Sequence, residues 1–196
     1  MRNTETRNET ADDADDTDGI HWLLSASICG ICGEKVKAVI ALGSNLGDRR
    51  AHLAAGLAAL RTLGTVVPSP LVMETPDESG TGPAYLNTVD LLVTRETDPC
   101  RLLEALLRLE LAAGRDRGTG KNAPRTLDLD LITTDGTRGT WTWEAPEDLR
   151  SLGLELTLEL PHPRAFRRPF VLEPWRALSD PGECGGIIPR SDSGID

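Results

Sequence analysis

The sequence predicts an α/β (α+β) fold in which two strand–helix–strand units follow one another. Three observations predict it. Apolar runs of strand length recur at residues 36–42, 66–73, 86–94 and 127–132. Two stretches with leucines at helical spacing, 48–60 and 98–113, separate the first run from the second and the third from the fourth. Gly, Pro, Asn and Asp gather at the joins, where the chain must turn.

The first run, read from Lys35 to Leu42 as Lys-Val-Lys-Ala-Val-Ile-Ala-Leu, alternates at its start and then becomes continuously apolar, the pattern of a central buried strand. Gly43-Ser44-Asn45 and Leu46-Gly47-Asp48 follow as a tight turn into a helix, with Asn45 or Asp48 as the N-cap. Leu53, Leu57 and Leu60 share one helical face, and Gly64 is expected to stop the helix. Pro68 and Pro70 lie inside the second run, which places it at a sheet edge or forces a bulge. Residues 74–83 form a loop rich in turn residues, and Tyr85-Leu86-Asn87 opens the third strand.

Asp98-Pro99 is an N-cap followed by proline at the first helical position. The helix should run to about Ala113 and end at Gly114, burying Leu103, Leu106 and Leu107. Glu110 falls on that same stripe. A carboxylate there takes a partner or a ligand, and an ion pair to Arg115 or Arg117 is one of the two readings. In the fourth strand Leu127, Leu129 and Leu131 point into a core. Asp128 and Asp130 point the other way, roughly 7 Å apart at the backbone. Residues 137–157, with Trp141 and Trp143, are expected to form a small hairpin or helical insert. A last helix carrying Phe170 and Leu172 follows, and both residues are core candidates. The order β-α-β-β-α-β is that of a ferredoxin-like sandwich, here with a C-terminal helical segment.

Charge and composition narrow the partners. The net charge is −10, and half of it comes from the first 35 residues, which are polar and acid-rich and are expected to be disordered. The domain is accordingly placed at 36–178, with 1–35 as an acidic extension and 179–196 as a flexible tail. So acidic a chain suits neither nucleic acid nor a membrane surface. Four cysteines without a secretory signal fit a reduced, cytoplasmic protein. Cys29-x-x-Cys32 is half of a zinc spacing with no second pair close by, although His21 and Cys184 are available in principle.

One cationic island stands out. Arg115, Arg117, Lys121 and Arg125 against Asp116 make a local charge of +3, on a segment loosened by Gly114, Gly118 and Gly120. It leads directly into the Asp128/Asp130 pair. Paired carboxylates on a rigid strand repel unless a cation sits with them, and Mg²⁺ takes one or two carboxylates together with substrate phosphates. A bare D-x-D is far more often an edge strand with two solvated acids, but with Pro124, Arg125 and the basic island before it the pattern suits a metal-bound triphosphate. The island is not a Walker loop: Lys121 is followed by Asn122. Nor is Gly118-x-Gly120-x-x-Ala123 a dinucleotide turn, because it precedes a strand.

Lys121-x-Ala123-Pro124-Arg125-x-x-Asp128-Leu129-Asp130-Leu131-Ile132 resembles the signature of the 6-hydroxymethyl-7,8-dihydropterin pyrophosphokinases. Thr75-Pro76, Tyr85-x-Asn87 and Leu160-Pro161-His162-Pro163 extend the likeness over residues 36–177. The resemblance implies the same ferredoxin-like fold, ATP as co-substrate and a dihydropterin alcohol as acceptor; a monomer is the expected working unit. It implies two Mg²⁺ on Asp128 and Asp130, and charge stabilisation by Arg115 and Arg125. ATP would meet Glu110 at the adenosine and Arg117, Lys121, His162 and Arg168 at the phosphates. The pterin would meet Gly43, Thr75, Pro76, Tyr85, Asn87 and Phe170. Asn122 stands where the family usually has an aromatic residue, and Thr157 and Glu159 stand where a basic residue often precedes the Pro-His pair. The 137–157 interval is longer than in the family.

Overall fold

The computed structural model describes residues 35–77, 80, 82–114 and 124–178. The expectations for the acidic extension, for Cys29, Cys32 and Cys184, for Arg115, Arg117, Lys121 and Asn122, and for the tail fall outside those residues.

The centre of the molecule is β1 (Val36–Ser44), the near-continuous apolar strand. It is flanked on one side by β4 (Tyr85–Thr94) and on the other by β5 (Asp128–Thr134), both antiparallel to it. β2 (Gly64–Pro68) pairs with the far edge of β4, giving the order β2-β4-β1-β5, and β3 (Met73–Thr75) pairs with β4 beyond it. This is the antiparallel sheet expected of a β-α-β-β-α-β chain. One sheet face carries Ala38, Ile40, Leu42, Leu92, Leu129 and Leu131 into the main core. Val39 and Val89, on the alternate face, are fully buried as well, and the C-terminal helix packs against β4.

Helix α1 (Arg49–Leu60) starts where the Asp48 side chain accepts the Ala51 N–H at 3.0 Å, so Asp48 is the cap and Asn45 is free for another task. The helix buries Leu53, Gly56 and Leu60, and leaves Leu57 half-buried. Gly56 lets α1 approach the sheet: a Cβ there would lie 2.7 Å from Leu127 Cδ1. Gly64 does not stop this helix. The C-cap is Arg61, and Gly64 is the first residue of β2, paired with Thr94, where a side chain would run into the Val93 carbonyl.

The single strand expected over 66–73 is two pieces, because Pro68 and Pro70 cannot donate to a ladder. The edge position that the prolines implied is correct for both. Helix α2 (Pro99–Ala112) is capped by Asp98, which accepts the Cys100 N–H at 2.9 Å, and ends before Gly114 at φ 83°. Its buried line runs Leu102, Leu106, Glu110 at four-residue spacing, with Leu107 beside it. Leu106, Leu107 and Glu110 lie on the buried stripe as expected, while Leu103 is only half-buried and Leu102 takes its place at the start.

The 137–157 insert holds both forms that were expected. β6 (Gly139–Glu144) and β7 (Glu155–Leu160) make a hairpin whose connection contains a 3₁₀ helix, Glu147–Leu152. It packs on α2 through Ala145, Leu149 and Leu156 against Leu107, and Trp143 Nε1 donates to Glu104 at 2.9 Å. After the cis Leu160–Pro161 bond comes a short 3₁₀ turn, Ala165–Arg167, and then α3 (Pro169–Ala177). That helix buries Val171, Pro174 and Trp175. Phe170 and Leu172, expected in its core face, are half-buried instead. No helix among the described residues is long and apolar enough to cross a membrane.

Candidate active site

The D-x-D carboxylates lie on the sheet face turned away from Leu129 and Leu131, and both are half-buried. Residues directly opposite one another on antiparallel strands share a face. Asp128 pairs with Gly43, Gly43 with Asn87, and Asn87 with Met73, so a carboxylate, a glycine and an amide stand in one row across three strands. Asp130 pairs with Ala41 in the next row on the same face. The glycine leaves a floor between its neighbours. A Cβ at Gly43 would lie 3.2 Å from Asn87 Oδ1, 3.6 Å from Tyr85 Cδ1 and 3.7 Å from Asp128 Cβ. Gly43, Tyr85, Asn87 and Asp128 therefore surround one spot.

The edge of this floor is braced. Asn87 Nδ2 donates to Thr75 Oγ1 at 2.9 Å, and Thr75 pairs with Tyr85 in the β3–β4 ladder. Pro76 follows Thr75 and is exposed. Helix α1 reaches both β3 and the residue before β4: Arg49 Nη1 donates to Glu74 Oε1 and to the Ala84 carbonyl, each at 2.7 Å. Asn45 Nδ2 adds a bond to the Pro83 carbonyl at 3.3 Å.

Arg125 is joined to the same floor. Its Nη1 donates to Asp128 Oδ1 at 3.0 Å. Its backbone N–H goes to Asn45 Oδ1 at 2.7 Å, and its carbonyl accepts the Asn45 N–H at 3.2 Å. Burial works against the Arg125 charge, but the Asp128 carboxylate, with smaller contributions from Tyr85 and Glu110, raises its pKa above the usual guanidinium value. Asn45 is the residue that sequence reasoning did not assign to the site. Its partner lies 80 positions away, so no local signal marks it.

Glu110 sits behind the D-x-D strand. It is 1% exposed, and its Oε1 accepts the N–H of Leu129, the residue between the two aspartates, at 2.7 Å. β5 is the outer strand of its sheet, so a helix side chain here takes the place of a ladder partner. Thr126 Oγ1 donates to the Ala113 carbonyl at 2.8 Å, tying the end of α2 to the lead-in of β5.

His162 belongs to a second cluster. Its N–H donates to the Ile132 carbonyl at 2.8 Å, two residues past Asp130, which sets it beside β5. Its Nδ1 accepts the Arg164 N–H at 3.3 Å, leaving the proton on Nε2. Burial first, then Arg168 and Arg164, push the imidazole pKa down, so the ring is neutral near pH 7. The Arg168 guanidinium lies 5.4 Å from the Phe170 ring centroid, a cation–π contact at the start of α3.

Among the described residues there is no group of three or more His, Cys, Asp or Glu arranged to hold a metal. The donor set is a carboxylate pair. Two hard oxygen side chains on one face fit Mg²⁺, which completes its shell with waters and phosphates, and do not fit a zinc cage.

The match to known proteins covers this same geometry. A sequence model of the family described as 7,8-dihydro-6-hydroxymethylpterin-pyrophosphokinase aligns with residues 39–180. The 2-amino-4-hydroxy-6-hydroxymethyldihydropteridine pyrophosphokinase of Mycobacterium leprae is 37% identical over 147 residues, 75% of this chain and 74% of its own length. The protein of that name from Pseudomonas aeruginosa is 34% identical over 146 residues, 73% of this chain and 80% of its own. A "Folate synthesis bifunctional protein" of Arabidopsis thaliana is 31% identical over 140 residues, 70% of this chain but 26% of its own length. The aligned interval takes in the glycine floor, the Thr75–Asn87 brace, the D-x-D strand and the His162 cluster, and on that ground the chain belongs to the 7,8-dihydro-6-hydroxymethylpterin-pyrophosphokinase family.

Proposed function

We propose that the floor at Gly43 receives the pterin and that the face of β5 beside it receives the ATP phosphates. The enzyme is a pyrophosphokinase of folate biosynthesis with ATP as co-substrate. It moves diphosphate from ATP to the hydroxymethyl oxygen of the dihydropterin, and AMP is the remaining product. The observation that carries the placement is the spot enclosed by Asn87, Tyr85 and Asp128 over a residue with no side chain. A flat heterocycle needs an uncluttered floor and an amide at its edge, and Asn87 supplies both a donor and an acceptor.

Asp128 and Asp130 would hold Mg²⁺, two ions in the fullest form of the proposal. When bound, such ions neutralise phosphate oxygens and clamp the transferring group. The chain's own residues do the remainder. Arg125, fixed by Asn45 and Asp128, presents a guanidinium to the charge that develops on the transferred group. Arg115 is proposed to do the same from the 115–123 segment, with Arg117 and Lys121 on the phosphates. His162 donates from Nε2 and Arg168 adds charge, while Glu110 lies toward the adenosine. Thr75, Pro76 and Phe170 complete the pterin contacts, with Thr75 acting through Asn87. Transfer of this kind is positioning plus electrostatics, and no strong base is assigned. We place the enzyme in the cytoplasm as a monomer, with its domain at 36–178.

The test is the nucleotide product. Protein incubated with MgATP and 6-hydroxymethyl-7,8-dihydropterin should yield AMP only when the pterin is present. Free diphosphate, or ADP, in place of AMP would overturn the reading in favour of nucleotidyl or single-phosphoryl transfer.

A further inference from the structure

A second cavity lies on the helix side of the sheet, behind the glycine floor. It has a volume of about 190 Å³ and is walled by Leu42, Leu53, Ala54, Leu57, Pro68 and Val72, between α1, the β2–β3 link and β4. Leu42 and Thr88 line it and pair with each other across β1–β4; the next pair, Gly43 and Asn87, faces the opposite side. The cavity is thus separate from the proposed pterin floor by the thickness of the sheet.

An apolar cavity of this size holds one six-membered ring; an engineered cavity of roughly 150 Å³ takes benzene. This one is not purely apolar. Asp90, on β4, lines it at 2% exposure. Among the described residues its Oδ1 has one long bond, 3.4 Å from the Ser69 nitrogen, and its Oδ2 has no hydrogen-bond partner. The nearby polar groups are already engaged elsewhere. Ser69 Oγ donates to the Pro174 carbonyl and Thr88 Oγ1 to the Leu71 carbonyl. Arg61 acts on Asp90 only through its field, and Arg50 stands at the exposed rim where water screens it.

Burial raises the Asp90 pKa to about 6, so near pH 7 the group is still mostly a carboxylate. A buried carboxylate oxygen without a donor is costly, and a charge-assisted bond to it is strong. We propose that this cavity is a binding site for a small one-ring organic amine, its ring against Leu42, Leu53 and Leu57 and its ammonium on Asp90.

Benzylamine is the probe, with benzyl alcohol as its neutral counterpart, and the readout is the amide NMR resonances of Ser69, Thr88 and Asp90 in the full chain. Benzylamine should shift them saturably and bind roughly tenfold or more tighter than benzyl alcohol, the worth of a charge-assisted bond. Asp90→Asn should erase that preference. Ala54→Phe, on an exposed helix position that lines the cavity, should block both ligands and leave pyrophosphokinase turnover unchanged. The proposal is overturned if millimolar benzylamine gives no saturable shift, in which case the cavity holds water only. It is equally overturned if the preference survives Asp90→Asn, or if Ala54→Phe leaves binding intact.

Discussion

Arg125 and Asp128 form an ion pair at 3.0 Å, three positions apart in the chain and with both side chains four-fifths buried or nearly so. The pair holds a guanidinium and a carboxylate in fixed positions on the floor of the site. On the proposed placement an incoming phosphate would compete for the guanidinium and a divalent cation for the carboxylate, and both would gain from groups already held in place. Removing either partner should therefore damage turnover far more than folding. Asp128→Asn is expected to cut kcat by about 10²–10³ or more, the scale of losing one preorganised electrostatic group, with a thermal midpoint close to wild type. Steady-state AMP release and a melting curve measured on the same preparation check this. Turnover within a few-fold of wild type would remove Asp128 from the site.

The glycine floor makes a different prediction, because filling it changes shape and not charge. Gly43→Ala would set a methyl 3.2 Å from Asn87 Oδ1, closer than ordinary contact, so the Asn87 amide must shift away from its bond to Thr75. KM for the pterin should rise about tenfold or more, which is the order of one misplaced polar contact, while KM for ATP stays nearly constant. Equal changes in both constants would mean that the pterin does not rest there.

Glu110 tests the anchoring of the D-x-D strand. Glu110→Gln keeps an acceptor for the Leu129 N–H, whereas Glu110→Leu leaves that buried N–H unpaired. The leucine variant should lose about 1–3 kcal/mol in urea unfolding, and the glutamine variant less. If the leucine variant is as stable as wild type, the bond is not holding β5.

Asp90 yields a pH dependence with a definite sign. Its folded pKa is about 6, above the ordinary 3.8. The native state therefore binds this proton more tightly than the unfolded chain does, and stability falls as pH rises from about 4 through 6. At pH 7 the ionised group is a net burden. Asp90→Asn should raise stability at pH 7 by about 1–3 kcal/mol and give little gain at pH 4, where wild type is already neutral. Chemical denaturation at the two pH values checks this, and a gain equal at both would separate Asp90 from the effect.

Much of this was legible from spacing. The alternation in 127–132 put Leu129 and Leu131 in the core and Asp128 and Asp130 on the other face, because a strand's period of two leaves no other choice. Asp98-Pro99 marked a helix start for the same local reason. What failed to show depended on distant partners. Gly64 reads as a helix stop until β4 is beside it. Asn45 reads as a cap until Arg125 arrives. Asp90 reads as one polar residue in an apolar strand, and only packing reveals that its second oxygen meets no donor among the described residues. The exchange of Leu103 for Leu102 at the start of the α2 stripe has the same origin, since the choice between them is made by what packs against the helix.

The two-way bond between Asn45 and Arg125 carries a lesson for anyone who would transplant this site. It continues the β1–β5 pairing past the strand ends, with one side chain standing in for the backbone. A graft of the Arg125–Ile132 segment into another sheet would bring the acids but not their orientation. The asparagine on the neighbouring turn has to travel with it.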